Sequence, residues 1–184
     1  MKKILIAGDF SYYIYERAVI ESLQRLGETD IREFHFKKYY SNIIGKVEKH
    51  FVFIGICTFV MNFMLWLKSY KEKPNVLFVW RGTMIHPFTL WLIKKTINTT
   101  LVSYNNDDPF SEHYKKNLQR VSWKNRINQR RLWTYFIKGL PLFDMNFVYR
   151  EKNIEEYKAA GAKKVKLFMP YYIPSQLPTQ QQVK

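Results

Sequence analysis

The sequence predicts an α/β fold built on a doubly wound, mostly parallel sheet of about six strands with helices on both faces. Three observations predict it. Short apolar runs of strand length alternate with longer stretches of helical period along almost the whole chain. The strand-like runs are apolar on successive residues, the pattern of strands covered on both faces. Single glycines and prolines, Gly27, Pro74 and Gly161 among them, fall where the pattern changes.

The first run, Lys3 to Gly8, is rich in Ile and Leu and ends in Gly8-Asp9, as a buried strand feeding a loop does. From Ile14 to Leu26, the residues Ile14, Ala18, Val19, Ser22, Leu23 and Leu26 recur at three and four spacing ahead of Gly27, which predicts a helix. Ile31 to Phe36 is short and aromatic, with Phe34 and Phe36 on one face of a second strand. One long helix is expected from Ser41 to Tyr70, closed by Lys73-Pro74-Asn75 before the strand Val76 to Trp80. His86 to Lys95 reads as a helix with Pro87 in its first turn, and Thr100 to Tyr104 as a fourth strand. Then follow a polar loop, Asn105 to Phe110, helical material from Ser111 to Lys138, and a strand at Met145 to Tyr149. Lys152 to Ala160 closes as a helix stopped by Gly161, before a last strand at Val165 to Phe168. The folded unit is expected to span 1–174, with 175–184 a polar tail or the start of a linker.

The 184 residues are 47% hydrophobic, enough for one domain with its own core. Thirty Lys and Arg against 15 Asp and Glu leave a charge of +15, which directs suspicion to anionic partners. The single cysteine, Cys57, excludes an internal disulfide or a cysteine zinc site and fits a reducing compartment. The apolar run after Met1-Lys2-Lys3 stops at Asp9, shorter than a signal-peptide core, so a cytoplasmic, unprocessed chain is expected. Phe51 to Leu67 carries no charge; a core helix is favoured over one that docks on a membrane, and over one that spans it. Trp66 beside Lys68 keeps a peripheral role at an anionic inner membrane face open.

Several chemistries are excluded. Gly8 lacks the further glycines that let a dinucleotide pyrophosphate approach the backbone; there is no phosphate-binding Gly-Lys-Ser or Gly-Lys-Thr loop and no Gly-x-Ser-x-Gly elbow. The histidines at 35, 50, 86 and 113 are nowhere at metal-ligand spacing, so no metal is expected. In a doubly wound sheet ligands gather outside the strand carboxyl ends, which singles out Asp9, Arg81, the loop from Asn105 and Asn106 to Asp107 and Asp108, the pair Arg150 and Asn153, and Pro170 to Tyr172. Two carboxylates and two amides at one strand end suit the holding of a polyol and the deprotonation of a hydroxyl. The same residues before Pro109 also suit an ordinary turn with Ser111 capping the next helix. Arg150, Lys152 and Asn153 suit an anionic group or a solvated helix start, and Asp9 a helix cap or a substrate hydroxyl. The basic stretch Arg120 to Arg131, with Trp123, suits phosphates or a solvated helix face.

The segment Tyr104 to Ser111, with Phe143-Asp144, Phe147-Val148-Tyr149-Arg150, Asn153, Tyr157, Gly161-Ala162 and Pro170-Tyr171-Tyr172, resembles the N-terminal half of CgeB-like glycosyltransferases, the spore maturation protein family. The resemblance implies a GT-B architecture of two Rossmann-like domains, of which this chain supplies the acceptor side. It implies that a nucleotide-sugar donor binds a C-terminal domain not contained in these residues, or a second chain, and that this chain needs no cofactor of its own. Asp107 and Asp108 are then the catalytic candidates, and Asp9, Arg81, Asn105, Asn106, Arg150 and Asn153 the acceptor-binding ones, with a sugar or glycan as partner. The competing expectation is a basic module binding membrane or nucleic acid without catalysis; for nucleic acid the charge speaks, but no reading motif accompanies it.

Overall fold

The computed structural model describes residues 2–12, 14–50, 55–110 and 133–168. Six strands form one sheet in which every neighbouring pair is parallel: β1 (Ile4–Gly8), β2 (Ile31–His35), β3 (Val76–Trp80), β4 (Thr100–Asn105), β5 (Met145–Val148) and β6 (Val165–Leu167). Their spatial order is β2-β1-β3-β4-β5-β6. The order therefore reverses between β1 and β3, and this α/β, Rossmann-like sheet has its switch point there. Among the described residues the helices are α1 (Glu16–Arg25), α2 (Ile43–His50), α3 (Ile56–Glu72), α4 (Pro87–Thr96), α5 (133–139) and α6 (Lys152–Ala159), with 3-10 turns at Lys37–Tyr40 and Leu140–Leu142.

Period-two geometry divides the strand residues between two faces. Leu5, Ala7, Leu77, Val79 and Leu101 pack against Met61 and Leu65 of α3 and Leu90 and Ile93 of α4. Ile4 and Ile6 face the other way, onto Ile20 of α1, with Val76 and Phe78 against them. A third cluster joins Trp133, Phe136 and Leu140 to Val148, Tyr157 and Ala162 at the β5 end of the sheet. Each fully buried Leu or Ile contributes roughly 1.5–3 kcal/mol of apolar transfer to this sandwich.

Four expectations are corrected. The helix predicted from Ser41 to Tyr70 is two helices, α2 and α3, and the N-cap of α3 is Gly55, whose φ of 151° suits glycine. A Cβ there would lie 2.4 Å from Glu48, whose carboxylate caps α3 by accepting from the Cys57 and Thr58 amides, both at 2.9 Å. Burial pushes Glu48 up, but these hydrogen bonds outweigh it and hold the group below its ordinary value. The apolar run is also not buried all round: Phe59 is 72% exposed, while the buried side of α3 is Thr58, Met61, Asn62, Leu65 and Ser69. Finally, α1 begins at Glu16 and buries Glu16, Ala18 and Ile20, leaving Ile14, Ser22 and Leu26 exposed. Asn105 ends β4 rather than opening the loop. The segment 111–132, with its basic stretch, Pro170 to Tyr172 and the tail 175–184 lie outside the described residues.

Candidate functional site

The carboxyl ends of β1, β3, β4 and β5 bring Asp9, Arg81, the Asn105 to Asp108 loop and Arg150 to one edge of the sheet. The two loops flanking the switch point are both strained. Phe10 has φ 55° and Arg81 φ 50°, left-handed values that cost bulky residues about 1–3 kcal/mol each and persist only where neighbours impose them. Phe10 stacks on His35 with ring centroids 4.1 Å apart. The Arg81 amide donates to the Tyr104 carbonyl at 2.8 Å and its carbonyl accepts from Thr83 at 2.6 Å.

At the β1 loop, the backbone amides that could cradle a phosphate already have an anion. Glu16, only 2% exposed, turns its Oε1 back to accept from the amides of Asp9 at 2.9 Å and Phe10 at 3.2 Å. Gly8 makes room for it, since a Cβ there would lie 2.3 Å from Glu16 Oε1. Burial is the main cause that pushes the Glu16 carboxyl above its ordinary range, with Asp9 adding to it and the amide hydrogen bonds opposing it. This internal carboxylate gives the missing dinucleotide signature a structural counterpart: the β1 amides are occupied from within. Asp9 therefore does not cap α1, whose N-cap is Tyr15 without a side-chain bond.

The β4 loop is built from two Asx turns. Asp107 donates its amide to Asn105 Oδ1, and Phe110 its amide to Asp108 Oδ1, each at 3.1 Å. The turn reading and the functional reading are thus compatible, because the turns aim the two carboxylates apart. Asp107 reaches Arg81, with Nε 2.7 Å from Oδ2, and ties the β4 loop to the β3 loop. Asp108 points the other way, its side chain 7% exposed: Oδ1 accepts from Asn153 at 2.9 Å, and Oδ2 lies 2.5 Å from Lys152 Nζ and 3.7 Å from Arg150. Burial would raise Asp108, but the bonds from Lys152, Asn153 and Phe110 prevail and hold it below the usual aspartate value. The anion held by Arg150, Lys152 and Asn153 is therefore the chain's own.

Beneath these polar groups lies an aromatic floor. Trp80 and Tyr104, 2% and 1% exposed, have ring centroids 4.5 Å apart, and Tyr15 stacks on Trp80 at 5.7 Å. Burial pushes the Tyr104 hydroxyl up to about 12, aided by the nearby Tyr149 and Tyr15. Arg150 sits over the exposed Tyr149 ring, 5.9 Å from its centroid.

Asp9, Arg81, Asn106, Asp107 and Arg150 thus border the open edge, whereas Asn105, Asp108 and Asn153 are buried behind it as positioning groups. Sequence reasoning missed Glu16 and gave Tyr157 no role at the site beyond its place in the resemblance. Tyr157 is buried beside Asn105 and the loop carboxylates, and burial first, then those carboxylates, push its hydroxyl far up. A cavity of about 770 Å³, lined by Lys2, Asn75, Lys94 and Asp144, opens at the amino ends of the strands, the end of such sheets that does not carry ligands. Among the described residues no group of His, Cys, Asp and Glu could hold a metal ion, and no helix is long and apolar enough to cross a membrane. Fold and edge together define an α/β, Rossmann-like protein with a cluster of polar and charged residues at its strand carboxyl ends. No family model matches the chain, and no curated protein matches it.

Proposed function

We propose that this chain is the acceptor-side half of a nucleotide-sugar-dependent glycosyltransferase, with Asp107 facing the acceptor hydroxyl. The observation that carries the reading is the division of labour in the β4 loop: Asp108 is locked inward by Lys152 and Asn153, and Asp107 is left at the open edge on Arg81. Amide, carboxylate and guanidinium groups gathered at one edge are what a sugar ring needs as polar partners for its hydroxyls, and the half-buried Tyr15 ring, backed by the buried Trp80, offers an apolar surface for its C–H face. Self-occupation of the β1 amides by Glu16 agrees with a donor held elsewhere.

In the step envisaged, the acceptor hydroxyl oxygen attacks the anomeric carbon of a sugar held by the donor-binding half. Its proton passes to the Asp107 carboxylate, and the bond to the nucleotide diphosphate breaks with the electron pair leaving on the phosphate. Arg81 keeps Asp107 oriented. A glycan array probed with the chain tests the acceptor side directly. Binding of a defined group of saccharides, lost in Asp107→Asn, is expected; an array on which nothing binds, or binding indifferent to Asp107, overturns the reading.

A further inference from the structure

We infer that the outer face of α3 and α4 docks on an anionic bilayer surface, an inference that stands independently of sugar transfer. The N-terminal half of α3 turns Ile56, Phe59 and Phe63 outward, at 73%, 72% and 47% exposure, and α4 adds Phe88 at 67% and Trp91 at 43%. Between Phe59, Phe63 and Trp66 on one side and Phe88 and Leu92 on the other runs an apolar groove of about 220 Å³. Contiguous exposed apolar surface of this kind marks an interaction site, since water opposes it without compensation.

The helices are fixed rigidly to the sheet at this point. Asn62, buried in α3, donates to the Met84 carbonyl at 3.1 Å and accepts from the His86 amide at 2.9 Å, clamping α3 to the loop that leads from β3 into α4. Because α4 starts at the carboxyl end of β3 and α3 ends at its amino end, the aromatic residues lie toward the same end of the sheet as Arg81 and Asp107.

Charge selects the occupant. From Lys37 to Lys95 the chain carries ten Lys and Arg and two acidic residues, Glu48 and Glu72. Glu48 is turned inward as the cap of α3, and Glu72 is paired with Lys68 at 2.8 Å. Lys46 is exposed on α2, the helix whose Glu48 caps α3, and Lys71 and Lys95 are exposed in the last turns of α3 and α4. An exposed apolar aromatic surface on a chain of net charge +15 matches a layer of anionic headgroups over acyl chains, with Trp91 suited to the boundary. A second protein copy would bring the same positive charge against itself.

Co-sedimentation of the 184-residue chain with vesicles tests this. Vesicles of phosphatidylcholine containing about a third phosphatidylglycerol should bind the chain at least about tenfold more tightly than phosphatidylcholine alone. The double variant Phe59→Ser, Phe88→Ser should keep its circular dichroism and lose most of the binding, and salt of about 0.5 M should weaken what remains. Absence of binding to the anionic vesicles overturns the inference. So does salt-sensitive binding that the double variant leaves intact, which would assign it to charge alone, or a self-association that the variant dissolves while vesicles stay unbound.

Discussion

Asn153 donates from Nδ2 to Asp108 Oδ1 at 2.9 Å across 45 residues of sequence, joining the first turn of α6 to the loop after β4. The same amide nitrogen lies 2.7 Å from Glu156, so one buried side chain serves two carboxylates. This contact converts an exposed-looking acidic loop into a fixed one, and it explains why Asp107 and Asp108, adjacent in sequence, have different surroundings.

Asn153→Ala should therefore leave a buried carboxylate short of a donor and destabilise the fold by about 1–3 kcal/mol. Urea unfolding at neutral pH measures it. A loss below about 0.5 kcal/mol would show that Lys152 alone secures Asp108.

Asp108 also sets an acid limb. Its folded value lies below its ordinary one, so its contribution is fully present above the ordinary aspartate range and is lost as pH falls through the folded value. Asp108→Asn should be less stable than the parent at pH 7, with the gap closing as pH drops below about 4. A gap that stays constant with pH would mean the loss is one of shape and not of charge.

Glu16 carries the opposite sign. Its folded value is raised, so its ionisation opposes folding: stability relative to a neutral isostere is greatest below the ordinary glutamate value and declines as pH rises from there to the folded value. Glu16→Gln keeps an oxygen for the Asp9 and Phe10 amides and should gain on the parent as pH rises above the ordinary glutamate value, whereas Glu16→Ala should lose about 1–3 kcal/mol throughout. Thermal melting across that range distinguishes them.

These cases also show what was legible in the sequence. The alternation of apolar runs with helical periods was enough for the sheet, and the carboxyl-end rule named Asp9, Arg81, Asp107 and Arg150 because the loops follow strands whatever the tertiary detail. Glu16 was not legible. An acidic residue in a helix's first turn reads as a solvated group favoured by the dipole, and its turn inward depends on Gly8, eight positions away and otherwise one glycine among seven. Nor does a run without charges say which side is buried. In α3 the polar Thr58 and Asn62 face inward because they answer Tyr40, Glu48 and the Met84 carbonyl, and the phenyl rings of Phe59 and Phe63 face out.

The exposure of Phe59 reverses what the apolar run suggests. Phe59→Asp should change stability by no more than about 0.5 kcal/mol, as surface substitutions do. Met61→Asp, at a side chain with no exposed surface, should prevent folding. Chemical denaturation of the pair checks this, and unfolding by Phe59→Asp would mean that the outer face of α3 is covered within the chain.

Arg81 offers the sharpest separation of stability from function. Its φ of 50° strains an arginine and suits a glycine, so Arg81→Gly relieves about 1 kcal/mol of backbone strain while the freer unfolded chain takes back roughly 0.5–1 kcal/mol. The ion pair to Asp107 is half-exposed and contributes little to folding, about 0–1 kcal/mol. The melting temperature should therefore stay within a few degrees of the parent. What the substitution removes is the group that holds Asp107 at the open edge, so under the proposed function saccharide binding should fall to the level of Asp107→Asn. Glycan binding and melting measured on the same preparation decide between the two roles: lost binding at unchanged stability assigns Arg81 to positioning Asp107, and a large drop in melting temperature with binding retained assigns it to the fold.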